Sequence, residues 1–242
     1  MSKVSAIRRE VAVKIHQLGV AGTLKLAAAK LVRKLRNLGS SNKRQIHPFD
    51  LKYGTDTSGI VEVGALDMPD QRMEHAVRYQ TALVDVFETL LNELAIPFEE
   101  FMFIDLGSGK GRAMLLASKY PFKAILGVEL SNKLHQIACR NIEIYSDANQ
   151  RCYNIKSLCE DAANYRIPDE KEVFYLFNPF DEAVMRPVVA HIEESLKRFP
   201  RQIYVLYLKA LCREIFNQSR SFRLVKETER YVVYEGGNSV CS

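Results

Sequence analysis

Apolar residues recur in the second half of the chain as short runs separated by helical patterns. The strand-like runs cover residues 101–105, 124–129, 152–157, 172–178 and 202–208. Helical periodicity occurs near residues 111–119, 131–147 and 183–198, with a short loop around 160–168. We expect the last helix to be kinked or started by Pro187. Strands that alternate with helices predict a parallel sheet covered by helices on both faces.

The C-terminal tail shows the strand pattern twice. The sequence FRLVKETERYVVYEGG indicates two strands joined by a short turn at KETE, which predicts an antiparallel hairpin. The run FYLFN is apolar nearly throughout, as is typical of a central strand that is buried on both faces. The predicted fold class is therefore α/β, with a doubly wound, mostly parallel seven-strand sheet that ends in an antiparallel hairpin.

The segment before the first strand divides into a turn-rich part and a helical part. Residues 47–70 contain three glycines and two prolines, which favour turns. Residues 71–95 carry apolar side chains at helical spacing, which predicts one amphipathic helix. Its expected apolar face consists of Met73, Val77, Leu83, Val84, Phe87, Leu90, Leu91 and Leu94. We therefore predict a pre-core segment over 47–98, a core over 99–242, and an arm over 1–46.

The predicted arm differs from the rest of the chain in its charge. Residues 1–44 contain eleven Lys or Arg residues and a single acid, Glu10, whereas the remaining residues have a net charge of −5. Its apolar residues recur at helical spacing, which predicts two short basic amphipathic helices broken near Gly19–Gly22. Such an arm suits an anionic membrane surface, nucleic acid, a cleaved organellar presequence, or packing on the body of the protein or on a second subunit.

Composition narrows the class of protein. With 47% hydrophobic and 26% charged residues, the chain is typical of a soluble globular protein. Its five cysteines form no CxxC pair and indicate reduced thiols in the cytoplasm. The histidines are not spaced as metal ligands, and no run of about 18 apolar residues predicts a membrane span. Because the body is net acidic, nucleic acid is the less favoured partner.

The sequence DLGSGKG follows the first predicted strand and precedes a helix. Gly107, Gly109 and Gly111 allow positive φ angles and close approach of a ligand to the backbone, and the helix that follows offers free N–H groups. A P-loop requires GxxxxGK[ST], but no Ser or Thr follows Lys110. A dinucleotide turn requires GxGxxG, but Arg112 stands where the third glycine would fall. Asp105 would also repel a pyrophosphate, so a cationic ligand is favoured.

Four successive strand ends resemble motifs of the class I, seven-strand S-adenosylmethionine-dependent methyltransferases, which have a Rossmann-like fold. These motifs are DLGSGKG, GVELS, CEDAANY and LFNPF, and they lie within a resemblance that covers roughly residues 47–235. The chain resembles a bacterial branch of that family and, more distantly, seven-strand protein lysine methyltransferases. The resemblance implies S-adenosylmethionine as cofactor and S-adenosylhomocysteine as product.

The resemblance also implies roles for individual residues. Asp105 and the turn, which includes Ser108, would hold the amino acid end of the cofactor. Glu129, with Leu130 beside it, would bind the ribose hydroxyls, and Asp161 with Ala162 would bind the adenine. Asn178, Pro179 and Phe180 would lie beside the transferable methyl and align the acceptor. In the helix expected before the first strand, Tyr79 and Thr81 are candidates for contact with the cofactor, and Tyr79 also for a catalytic role.

The acceptor of the methyl group stays open. The motif is NPF and not the NPPY of enzymes that methylate planar nitrogens, and YLKALCRE follows the fifth strand where the family has a polar or proline-containing turn. We expect a protein lysine or another amine. The alternatives are a small-molecule or glycan-related acceptor, or a module that binds the cofactor without catalysis. Asp56, Asp181 and Glu182 are expected either to make polar contacts there or to be solvated or capping residues.

Overall fold

A computed structural model describes residues 47–62, 64, 66–68 and 78–237. The predicted basic arm and the predicted helical residues 71–77 lie outside this part of the chain. The helices are α1 (Pro48–Tyr53), α2 (Val84–Glu93), α3 (Arg112–Ala117), α4 (Asn132–Ile144), α5 (Glu182–Arg198) and α6 (Arg213–Asn217). The strands are β1 (Phe101–Leu106), β2 (Ala124–Glu129), β3 (Ile155–Cys159), β4 (Lys171–Phe177), β5 (Ile203–Leu208), β6 (Phe222–Glu227) and β7 (Tyr231–Gly236).

The seven strands form one sheet in the order β3-β2-β1-β4-β5-β7-β6. The first five strands are parallel, whereas β7 pairs antiparallel with both β5 and β6. This arrangement confirms the predicted doubly wound sheet and its closing hairpin. The chain runs outward from β1 in both directions, so β1 and β4 flank the switch point where ligands bind in such sheets.

The strands bury both faces of the sheet. Phe101 and Phe103 of β1 pack with α2 and α3, while Ile104 and Leu106 of the same strand pack with α5 and α6. This alternation follows from the two-residue period of a strand. It explains why β4 is apolar nearly throughout, with its five central residues buried. In the described part of the chain, no helix combines the length and the hydrophobicity that a membrane-spanning helix requires.

A buried ion pair lies at the edge of the sheet opposite the glycine turn. Glu172 at the start of β4 is fully buried and accepts two hydrogen bonds from Arg201, at 3.0 Å from Nε and 2.9 Å from Nη2. Arg201 also donates to the carbonyls of Pro168 and Phe199, at 2.8 and 2.9 Å. The guanidinium therefore joins the ends of the β3–β4 and α5–β5 connections in a single network.

Three predicted elements are corrected. Residues 78–83 are extended and not helical, because Tyr79 pairs with Val61 through two backbone hydrogen bonds, and α2 begins only at Val84. The third strand runs over Ile155–Cys159 and not 152–157, since the amide of Cys152 donates to the carbonyl of Ser118. Helix α5 agrees with the helix predicted near 183–198, and only the alternative that Pro187 starts it is corrected: the helix starts at Glu182, where the carboxylate of Asp181 caps the amides of Ala183 and Val184.

Candidate functional site

A cavity opens at the carboxyl ends of β1, β2 and β4, where the switch point of the sheet lies. The open space between its walls measures ≈780 Å³, including the mouth. Residues of all four motifs line this cavity.

The walls of the cavity include nine of the residues singled out from the sequence. These are Tyr79, Gly107, Glu129, Leu130, Asp161, Ala162, Asn178, Pro179 and Phe180. Five further residues with an expected role in binding the cofactor do not line it; they are Asp105, Ser108, Gly109, Gly111 and Thr81. Asp105 and Ser108 are buried at the turn and do not line the cavity.

The glycine turn has a shape that other residues do not adopt easily. Gly107, Gly109 and Gly111 have φ angles of +82°, +55° and +86°. A Cβ on Gly107 would lie 2.4 Å from the Cβ of Pro179, and one on Gly109 would lie 2.2 Å from Cε2 of Tyr79. The turn therefore packs directly against two residues of the cavity wall. The amides of Gly107 and Ser108 donate to the carbonyl of Val128, which ties the turn to β2.

The carboxylate of Glu129 lies at the end of β2 and reaches the turn. It accepts hydrogen bonds from the amides of Gly109 and Ser131, both at 2.8 Å. Burial raises the pKa of Glu129, although these backbone hydrogen bonds oppose the shift. Because it lines the cavity, this group offers acceptor oxygens to a ligand that carries hydroxyl groups.

Asp105 lies at the end of β1, beneath the turn. Asp105 is only 4% exposed. Burial, together with the nearby charge of Glu129, raises the pKa of Asp105 well above the usual range of an aspartate. Both carboxyl groups are buried at the ends of the neighbouring strands β1 and β2. A cation bound in the adjoining cavity would relieve their repulsion, whereas an anion would increase it.

Lys110 does not contribute its charge to the cavity. Its ammonium donates to Oδ1 of Asp56 and to the carbonyl of Ser58, both at 2.8 Å. A P-loop lysine would instead point at a phosphate. The direction of Lys110 therefore differs from that of a P-loop lysine. Asp56 makes a polar contact with the glycine turn through this ammonium.

On the side near β3, the wall of the cavity consists of residues between β2 and α4 and of residues directly after β3. Asp161 accepts a hydrogen bond at 2.9 Å from the amide of Ala163, in the turn that also contains Ala162. Opposite them, Leu66 and Met68 also line the cavity. Asp67 holds this short segment in place, because it accepts hydrogen bonds from the hydroxyl of Ser131 at 2.5 Å and from the amide of Lys133 at 3.0 Å.

The opposite end of the cavity contains the NPF motif. Asn178 follows β4 with a φ of +43°, and its Oδ1 is buried without a hydrogen-bond partner among the described residues. Pro179 and Phe180 complete this wall next to Tyr79. The phenol of Tyr79, whose pKa is raised by burial, donates to the carbonyl of Thr57 at 2.7 Å. Asp181, in contrast, serves as a helix cap, and Glu182 pairs with Arg186.

The turn after β5 places the charged side chain of Lys209 near the end of the cavity that contains the NPF motif. Lys209 has a φ of +47°, which is uncommon for a residue with a Cβ. Its ammonium lies 5.0 Å from the ring centroid of Phe177 and donates at 2.9 Å to Oε1 of Gln80. Phe177 and Gln80 both line the cavity, as does the exposed Arg78.

Several lining residues were not singled out from the sequence. They are Leu66, Met68, Arg78, Gln80, Val128, Leu134, Glu160, Phe177 and Val184. Val128, Glu160 and Phe177 belong to the motifs GVELS, CEDAANY and LFNPF, and each directly precedes a residue that was singled out, so they could have been inferred. Leu66 and Met68 could not, because their position depends on the contact of Asp67 with α4.

Other kinds of site receive no support in the described part of the chain. No group of three His, Cys, Asp or Glu residues there is arranged to hold a metal ion. Cys139, Cys152, Cys159 and Cys212 are free thiols, and burial raises the pKa of each, which disfavours the reactive thiolate.

No family model matches the sequence, and no curated protein matches it. Solved structures resemble it at low sequence identity. Magnesium protoporphyrin IX methyltransferase (ChlM) from Synechocystis PCC 6803, solved with bound SAM, is 16% identical, with a TM-score of 0.43 over 63% of this chain and 76% of its own. An rRNA methylase from Streptococcus thermophilus is 13% identical, with a TM-score of 0.41 over 66% of this chain and 98% of its own.

Proposed function

We propose that this protein is an S-adenosylmethionine-dependent methyltransferase. The observation that carries the proposal is the pair of buried carboxylates, Asp105 and Glu129, beneath a glycine turn whose only lysine is directed elsewhere. This arrangement favours a ligand with positive charge and hydroxyl groups over a phosphate-bearing nucleotide. S-adenosylmethionine carries a sulfonium, an ammonium and two ribose hydroxyls, which meet both requirements.

The residues that line the cavity suit the parts of this cofactor. The carboxylate of Glu129 would accept hydrogen bonds from the ribose hydroxyls, and Asp161 with the amide of Ala162 would bind the adenine between Leu66, Met68 and Leu134. The turn at Gly107 would face the amino acid end, with the carboxyl group of Asp105 beneath it. When bound, the cofactor supplies an electrophilic methyl group on a sulfonium leaving group.

For the acceptor we propose an amine, either a protein lysine or a small molecule. The buried Oδ1 of Asn178 lacks a donor, and an N–H of the acceptor would satisfy it, since leaving a buried acceptor unpaired costs about 1–3 kcal/mol. The charges of Arg78 and Lys209 near this end would lower the pKa of an ammonium and so favour the neutral, nucleophilic amine. Asn178, Pro179 and Phe180 would align the nitrogen with the methyl and exclude water.

Transfer of a labelled methyl group tests both parts of this proposal. A lysate of the source organism is incubated with the protein and saturating [methyl-³H]-S-adenosylmethionine, and label is counted separately in protein and in small molecules. We expect acid-stable label in one fraction, on nitrogen. The Asn178→Gly variant preserves the positive φ but removes the acceptor oxygen, so transfer should fall by about 100-fold through lost alignment.

The Asn178→Asp variant is the matched control, because aspartate tolerates the same φ and retains an acceptor oxygen. It should keep more activity than the glycine variant. Equal transfer by the wild type and the Asn178→Gly variant would contradict the role of Asn178. Label in the small-molecule fraction alone would exclude a protein lysine as acceptor.

A further inference from the structure

A segment that precedes the sheet is joined to the glycine turn by a buried polar network. We call residues 47–62 and 78–81 the strap. Within it, Asp50 accepts hydrogen bonds from the hydroxyls of Thr55 and Thr57, at 2.7 and 2.6 Å, and from Nη2 of Arg112 at 3.3 Å. Nε of Arg112 also donates at 2.7 Å to the hydroxyl of Thr57. Because Arg112 directly follows the turn, the strap is fixed to the start of α3.

Asn141 of α4 joins the strap to the turn from the other side. Its Oδ1 accepts from the amide of Asp56 at 2.8 Å, and its Nδ2 donates to the carbonyls of Asp56 and Lys110, at 3.1 and 2.9 Å. The residue is 2% exposed and does not line the cavity. Its amide thus makes three hydrogen bonds, two to the strap and one to the turn.

Tyr79 provides a third connection. Its hydroxyl donates to the carbonyl of Thr57. Its ring lies so close to Gly109 that a Cβ on that residue would overlap with it. The backbone of Tyr79 pairs with Val61, which closes the two parts of the strap onto each other. The turn is therefore enclosed by contacts that come from residues outside the sheet.

We infer that Asn141 is a positioning residue, which holds the glycine turn in the shape that receives the ligand. Three glycines give the turn many accessible conformations when nothing restrains it, so its shape must be imposed by its surroundings. A ligand that binds to a turn already in place does not have to order it, and its affinity is higher for that reason. This inference rests on the proposed function for the identity of the ligand.

The test compares Asn141→Leu with the wild type in the full chain. Leucine has a similar shape but makes none of the three hydrogen bonds. In the protein without ligand, we expect faster hydrogen exchange of the amides of residues 107–111. By calorimetry, we expect the Kd for S-adenosylhomocysteine to rise by about tenfold or more, as the loss of buried hydrogen bonds implies.

A core variant outside the strap and the glycine turn separates positioning from loss of stability. Leu90→Ala in α2 should lower the Tm, but it should leave exchange at 107–111 and the Kd within about twofold of the wild type. Asn141→Asp keeps the bond to the amide of Asp56 but places a carboxylate oxygen against the carbonyls of Asp56 and Lys110, so it should also speed exchange at 107–111 and raise the Kd. It replaces Asn141→Leu if that variant does not fold.

The two proposals fail in different ways. Unchanged exchange at 107–111 in Asn141→Leu and Asn141→Asp, or a Kd that changes no more than in Leu90→Ala, would overturn the role of Asn141. Absence of S-adenosylhomocysteine binding by the wild type would instead overturn the proposed function, and the exchange measurement would still decide whether Asn141 positions the turn.

Discussion

The Gly107→Ala variant is expected to lose binding of S-adenosylhomocysteine by more than about 100-fold. A φ of +82° costs a residue with a Cβ about 1–2 kcal/mol, and here the new methyl would also lie 2.4 Å from the Cβ of Pro179. The turn can relieve this overlap only by moving away from the wall that contains the NPF motif. Both the amino acid end and the methyl end of the cofactor site would change, so the effect on affinity, measured by calorimetry, should exceed the backbone cost alone.

Gly54→Ala is the control for the backbone cost. Gly54 has a φ of +71°, and a Cβ there would meet no atom within 4 Å. This variant should lose stability by about 1–2 kcal/mol from the positive φ but bind S-adenosylhomocysteine as the wild type does. If both variants bound with wild-type affinity, the close contact of the turn with Pro179 would have no bearing on the ligand.

The Arg201→Met variant is expected to lower the free energy of unfolding by about 3–5 kcal/mol. Glu172 is fully buried, and without the guanidinium its charge would lose both of its hydrogen bonds to Arg201. The carbonyls of Pro168 and Phe199 would lose their donor as well. Urea unfolding followed by circular dichroism measures the change, and the slope of the transition shows whether the folded state stays compact.

Two further variants test this explanation. Lys171→Met removes an ion pair with Glu100 whose side chains are 40% and 51% exposed, and it should cost less than about 1 kcal/mol. Adding Glu172→Met to Arg201→Met removes the unpaired charge and should recover part of the lost stability. A loss in Arg201→Met no larger than in Lys171→Met would show that the buried pair does not stabilise the fold.

The periodicity of the core residues was enough to predict the sheet. Alternating strands and helices from residue 101 onward predict that the strands are parallel. The two strand patterns in the C-terminal tail predict the hairpin. These elements are local in sequence, and β1, β2, β4, β5 and β7 are mostly buried, so their hydrophobic pattern reports their structure directly. The glycines of the turn were informative for the same reason, because positive φ angles are a requirement of the local backbone.

Features that depend on contacts distant in sequence could not be predicted. Tyr79 lies in a helical pattern, but its backbone pairs with Val61, and this bridge decides the conformation of residues 78–83. Asp67 lies against the start of α4, and Asn141 lies between the strap and the glycine turn. Both positions also depend on hydrogen bonds between residues that are distant in sequence. Polar residues at such places look like surface residues in the sequence, since nothing in their spacing reveals a buried partner.

Calorimetry of the full chain with S-adenosylhomocysteine tests the central claim most directly. The same protein is titrated with ATP and with NADH, which carry the phosphates that the buried carboxylates disfavour. We predict 1:1 binding of S-adenosylhomocysteine and no saturable binding of the two nucleotides. Absence of binding by S-adenosylhomocysteine, or equal affinity for NADH, would contradict the account of a cationic, ribose-bearing cofactor held above Asp105 and Glu129.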